Sequence, residues 1–302
     1  MPGPDVGSGS RVVYLLALAA GALFGIGSAV QQRAASKAPV RLVLHWRLLW
    51  YLVRQPLWLI GVGTALVGNV FAGIALASGG VALVQPLLVT RLMFALPFAA
   101  WWERRRLDRR EWLGAAAVVL GLASFLAAAR PSPSTKIDQS IWLWLAVLGG
   151  IGILTATLVA LARRLLPQWE APMLGGAAGI LFGLQSALTR VAVRRLFDLG
   201  LLGMLLHWSP YTVAAVALTG TLLTQSAFRL APLESSYPPL AAIEPLAGIA
   251  IGIGLLGDSV QGTPPVLAAG FAGVAVMTVG VWTLAVSSAR SSTSQALRRA
   301  SE

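Results

Sequence analysis

Few side chains in this sequence could do chemistry, and the one placed at greatest cost is Glu244. It lies about two turns into the stretch SYPPLAAIEPLAGIAIGIGLLGD, from Ser236 to Asp258, which is long and apolar enough to cross a bilayer. A carboxylate at that depth costs roughly 2.5–3.5 kcal/mol on insertion scales, so it is expected to face a partner or a wet cavity. Pro245 follows it, removing one backbone donor and freeing a carbonyl one turn back. Gly248 and Gly252 recur on the same helical face, where small residues admit a second helix. The chemistry open to such a group is uptake of a proton or capture of a solute's cationic part. The plainer reading is that Glu244 neutralises Arg91, which is also inside an apolar stretch, and locks two helices together. Four amides lie within other apolar stretches: Asn69, Gln85, Gln185 and Gln225. Amides there either bond helix to helix or line a pathway.

Other chemistries find no residues to carry them. The 302-residue chain has no cysteine, hence no disulfide and no thiolate nucleophile or metal ligand. Its two histidines, His45 and His207, stand in separate connecting segments without metal-site spacing. No Ser/His/Asp set or phosphate loop is visible, so the chain is not expected to be an enzyme or to hold a cofactor or metal. The net charge of +12 does not point to nucleic acid. Its arginines cluster between apolar segments, where cytoplasmic loops carry them.

Composition settles the class that must position these residues. Apolar residues make up 57% and charged residues 11%, against about 25% charged in soluble domains. The expected fold is an all-α polytopic membrane protein with about nine or ten transmembrane helices. Nine spans are read at about 12–31, 58–77, 81–102, 112–129, 141–161, 172–190, 210–228, 236–258 and 265–286. A short disordered leader covers 1–11 and a Ser-rich disordered tail 287–302. Two basic amphipathic segments, 33–55 and 191–207, are expected to lie on the membrane surface. Either one, as a tilted span, would give the ten-span version. Glycine faces (Gly21 and Gly25 with Ala29; Gly175, Gly179 and Gly183) mark helices built for close packing. Lysine and arginine outside the spans concentrate on the side that holds the C-terminus, which puts that terminus in the cytoplasm and the N-terminus outside.

The two halves rhyme. Leu23-Phe24-Gly25 in the first span matches Leu181-Phe182-Gly183 in the sixth, and Gln85-Pro86 in the third matches Glu244-Pro245 in the eighth. Repeats at 12–129 and 172–286, joined by a linker with its own helix (130–171), would be inverted in the membrane. Secondary transporters commonly follow that plan.

With these features the chain resembles the drug/metabolite transporter superfamily, EamA-like group, over about 12–286. Its first half is most similar to the NIPA-type magnesium transporters. Ser28 to Arg33 (SAVQQR), Asn69-Val70-Phe71-Ala72, Leu83-Val84-Gln85-Pro86-Leu87, and Glu103 followed by Trp112-Leu113-Gly114 carry the resemblance. It implies two inverted halves that move a small solute through a multi-pass cell (inner) membrane without ATP, with a homodimer admissible. Magnesium passage suits the residues less well. Mg²⁺ takes oxygen ligands, usually carboxylates; here Glu244 is the sole acid well inside a span, and Arg91 would repel a divalent cation. An anionic or zwitterionic organic solute fits better. A lipid-carrier flippase or assembly subunit is the alternative of another class, and a lateral opening between spans would favour it.

Overall fold

The computed structural model describes residues 6–79, 84, 87–129, 131–132, 139–164, 167–260 and 263–300. The described chain is helical apart from its connections and one two-residue pairing of Pro131–Ser132 with Ser259–Val260. The helices are α1 Val6–Ala35, α2 Arg47–Val53, α3 Pro56–Gly79, α4 Arg91–Trp102, α5 Arg109–Ala129, α6 Ile141–Ala162, α7 Pro167–Leu205, α8 Ser209–Leu230, α9 Leu233–Leu256 and α10 Pro264–Ala300. Eight of them, all but α2 and α4, are long and apolar enough to cross a membrane. The protein is an all-α polytopic membrane protein. In lipid a backbone must satisfy its own hydrogen bonds, which is why apolar runs this long fold as helix.

Glycines set how the helices run. A Cβ at Gly61 would lie 2.8 Å from the Gly27 carbonyl oxygen, and one at Gly68 would lie 3.2 Å from the Phe24 ring, so α3 runs antiparallel to α1. Along α1, Gly21 abuts Leu87 and Thr90, and Gly25 abuts Ala95; α4 therefore runs parallel to α1. Gly175, Gly179 and Gly183 meet Ser236, Leu240 and Gly248 in turn, which sets α7 parallel to α9. The partners α5 and α10 cross with Gly114 against Gly280 and Gly121 against Gly273, antiparallel.

These directions sort the connections into two ends. At one end α8 finishes beside the segment after α1: Arg229 Nε donates to the Ala38 carbonyl, and Leu44 N–H donates to Ser226 Oγ at 2.9 Å. The loop from α4 to α5 and the start of α9 meet at this end too, through Arg105 and Glu234. Segment 36–55 thus stays on one side, as a surface segment should. At the other end Arg190 of α7 meets Asp258 just after α9, beside the short pairing of Pro131–Ser132 with Ser259–Val260.

Four expectations change. Helix α1 already begins at Val6, inside the predicted leader, and α10 continues through the predicted tail to Ala300. Extending an existing helix costs far less than starting one, and Ala, Gln, Leu and Arg in the tail favour it. The second basic segment is no separate surface helix: α7 runs on to Leu205, broken only at Gly200, whose φ of 72° and ψ of −177° suit a residue without Cβ. Last, the third span is interrupted. Val84, Leu87 and Leu88 are helical, Val89 and Thr90 form a turn, and α4 restarts at Arg91.

Candidate functional site

The interruption at Val89–Thr90 creates the site. Thr90 N–H and Thr90 Oγ1 both donate to the Leu87 carbonyl, at 3.1 and 2.6 Å, closing the first piece of helix. The second piece then opens with Arg91, a cation at the end of a helix where the backbone dipole disfavours positive charge. Helix α9 supplies the compensation. Pro245 has no N–H, so the Ala241 carbonyl one turn back loses its helical partner. Arg91 Nη2 donates to that carbonyl at 3.3 Å and to Glu244 Oε2 at 2.9 Å. The guanidinium carbon stands 5.8 Å from the centroid of the Tyr237 ring, and the Tyr237 hydroxyl meets Ser28 of α1.

The ion pair is end-on. Among the described residues, Arg91 Nη1 and Nε and Glu244 Oε1 make no hydrogen bond. The two side chains keep 18% and 30% of their surface. Helix α9 also packs closely on α7: a Cβ at Gly183 would lie 2.6 Å from Gly248 N and 2.8 Å from the Glu244 carbonyl oxygen.

A second polar contact continues the track. Gln225 of α8, buried, donates from Nε2 to Gln31 Oε1 at 2.9 Å, and its own Oε1 is enclosed without a partner among the described residues. Gln31 stands three residues after Ser28, on the same face of α1. Gln185, half-buried on α7, has an enclosed Oε1 with no partner among the described residues and no hydrogen bond to the Arg91–Glu244 pair.

Other expected residues go elsewhere. Asn69 is exposed on the outer face of α3, and its Nδ2 donates at 3.0 Å to Ala65 of its own helix. A helix apolar all round gives no sequence sign of which face turns inward. Gln85 lies outside the described residues. Gly21, Gly25, Gly179 and Gly183 do pack helices, and Gly248 rests against Gly183. Gly252 instead makes room for a carboxylate: a Cβ there would stand 2.5 Å from Asp258 Oδ2.

Charges at the two ends are bound more completely. Arg105 contacts Glu103 at 3.1 Å, both oxygens of Glu111 at 3.2 and 3.1 Å, and Glu234 at 2.8 Å. Burial works to lower the Arg105 pKa, but the carboxylates of Glu234, Glu111 and Glu103 together hold it above its ordinary value. Glu111 also accepts from Asp108 N–H at 2.8 Å. At the far end Arg190 and Asp258 join by two parallel bonds, of 2.8 and 2.7 Å. Arg194 pairs Asp198 at 2.9 Å, so two basic groups in this basic stretch are neutralised.

Sequence reading missed Gln31, Tyr237, Glu111 and Glu234. A signal existed for the last: an acid two residues after a proline at a helix start suits the helix dipole. Nothing in the sequence ties it to Arg105.

Between α6, α7 and α8 opens a cleft of about 400 Å³, lined by Ile151, Thr155, Val159, Leu181, Leu184 and Leu223 among others. Thr155 is buried, and its hydroxyl has no partner among the described residues.

Neither a family model nor a solved structure matches the chain. Over 256 residues it is 31% identical to the uncharacterized protein Cgl0250/cg0304 of Corynebacterium glutamicum, an alignment covering 83% of this chain and 86% of that protein. The chain belongs to that protein's family. Membership brings no activity with it, and the functional reading rests on the site.

Proposed function

We propose that the protein is a secondary transporter of the cell (inner) membrane that moves a small polar solute by alternating access. The observation that carries this is the incompletely satisfied Arg91–Glu244 pair, held between a broken helix and a proline-interrupted one. Interrupted helices meeting within the bundle, with free hydrogen-bonding groups, are how secondary transporters build solute sites. The chain acts without ATP, cofactor or covalent chemistry, and Glu244 and Arg91 are its solute-binding groups. Gln225 and Gln31 extend the pathway.

Two inverted halves are part of the proposal, as in the EamA-like group. In support, Gly21 and Gly179 abut Leu87 and Leu240 respectively, and Gly25 and Gly183 abut Ala95 and Gly248. That register matches Arg91, not Gln85, with Glu244. Helix α4 meets α9 antiparallel, through Arg91–Glu244 and Arg105–Glu234, and α5 meets α10 antiparallel. Counting the interrupted span with the eight long helices gives nine crossings. The N-terminus is then outside, with the Arg105 end and the C-terminus in the cytoplasm.

The second reading, a lipid-carrier flippase, is favoured by the lateral cleft at Thr155. Magnesium passage is not: Arg91 pairs with Glu244, the one carboxylate at the centre among the described residues, and would repel a divalent cation.

The test begins with a thermal-shift screen of purified protein against amino acids, sugars, nucleosides, drugs, lipids and MgCl₂. A ligand at a hundred times its Kd stabilises by about 2.7 kcal/mol. Hits are then followed as exchange in proteoliposomes. A soluble hit whose exchange is lost in Glu244→Gln, with melting retained, is the expected result. Stabilisation by lipids alone, lost in Thr155→Val, would move the assignment to the second reading.

A further inference from the structure

Resting on that transporter reading, we infer that the solute is a small zwitterion. Its carboxylate accepts from the unused Arg91 donors, Nη1 or Nε, and its ammonium group donates to Glu244 Oε1. The geometry argues this by what each solute class would leave behind. The resting contact uses one nitrogen and one oxygen, so donors on Arg91 and an acceptor on Glu244 are left over within the same pair. An anion could satisfy Arg91 but would be repelled by Glu244. A cation, divalent or organic, would meet the reverse. A neutral solute could hydrogen-bond to both groups but would bring neither of them an opposite charge. Only a molecule carrying both charges gives each group its opposite charge at once.

Charge balance supports the same class. Empty, the site holds one positive and one negative group, which neutralise each other; loaded with a zwitterion, it again sums to zero. Neither state carries an uncompensated charge through a low-dielectric interior, where such a charge is costly. Both empty and loaded forms can therefore reorient, and transport is electroneutral. The Tyr237 ring beside Arg91, its hydroxyl against Ser28, bounds one wall of the site. The fully engaged Arg190–Asp258 pair offers no such opening, since both carboxylate oxygens are bonded.

The experiment uses full-length protein in proteoliposomes and three probes on one skeleton: leucine, its N-acetyl derivative (anion) and its amide (cation). Alanine and phenylalanine sets cover size. On at least one skeleton, exchange of the zwitterion should exceed that of either derivative by about tenfold or more, and should ignore membrane potential. Glu244→Gln should shift preference toward the N-acetyl anion, and Arg91→Gln toward the amide cation. Should a single variant fail to fold, the double variant Arg91→Gln/Glu244→Gln, which leaves no charge unpaired, should fold and treat the three probes alike. Equal handling of the three by the unaltered protein overturns the inference. So does exchange of another solute class without any zwitterion, although that result leaves the transporter reading standing. No exchange of any probe or screened solute, with both single variants losing stability, would reduce the pair to a clasp and end both readings.

Discussion

Arginine and carboxylate meet at the middle of this bundle and at both of its ends, but they do not meet in the same way. At the ends each arginine meets more carboxylate oxygens, although Arg105 Nη2, in ion-pair range of Glu234, makes no hydrogen bond among the described residues. Arg105 collects three carboxylates, two of them almost wholly buried, and Arg190 holds Asp258 through both oxygens. In the middle Arg91 touches Glu244 with one nitrogen on one oxygen and gives the same nitrogen to a carbonyl orphaned by Pro245. Pairs gripped through several contacts hold segments in place. The central pair, with unused donors and acceptors at the break in a helix, is poorer mortar and is the receptor proposed above.

The comparison can be broken from its ends. Replacing Arg105 by Met strands Glu111 and Glu234, whose side chains keep only 5% and 4% of their surface. Removing one partner of a buried ion pair costs about 3–5 kcal/mol. Because Arg105 itself is a quarter exposed, the lower part of that range is expected, read as a fall in unfolding temperature in detergent. A change below about 1 kcal/mol would show the end cluster to be as loose as the centre.

In the middle the order of effects reverses. Glu244→Gln should weaken solute binding by roughly 10–100-fold, the worth of one charge-assisted hydrogen bond, while the melting temperature moves by only a few degrees. A melting loss as large as that of Arg105→Met would make the central pair one more clasp. Asp258→Asn sharpens the contrast from the other side: it removes charge from a bidentate contact that is partly solvated. About 1–2 kcal/mol of stability should go, with exchange unchanged within about twofold. Asn69→Leu should do least, under about 0.5 kcal/mol, because its amide bonds only its own helix on an exposed face. A clear transport defect there would return Asn69 to the pathway.

Much of the fold was legible because the bilayer asks one simple thing of a sequence, a long apolar run, and eight such runs appear as helices. Pro245 was legible in detail: the carbonyl it frees is the one Arg91 takes. The amides were less so. Gln225 faces inward and Asn69 outward, and Asn69 sits in a run apolar on every side, where periodicity has no contrast to report. The break before Arg91 was hidden because valine and threonine are ordinary residues in a membrane helix. Glu234 and Arg105 could not be linked from sequence, since the antiparallel meeting of α4 and α9 is what joins them.

On the proposed two-halves plan, the matched stations of Arg91 and Glu244 also bear on assembly. Were the two halves made as separate polypeptides, two copies of the first would bring guanidinium against guanidinium, and two copies of the second carboxylate against carboxylate. Each half would reject its own kind and accept only the other, at a strict one-to-one ratio. Carried on a single chain with α6 between them, the halves are delivered in that ratio at every round of synthesis.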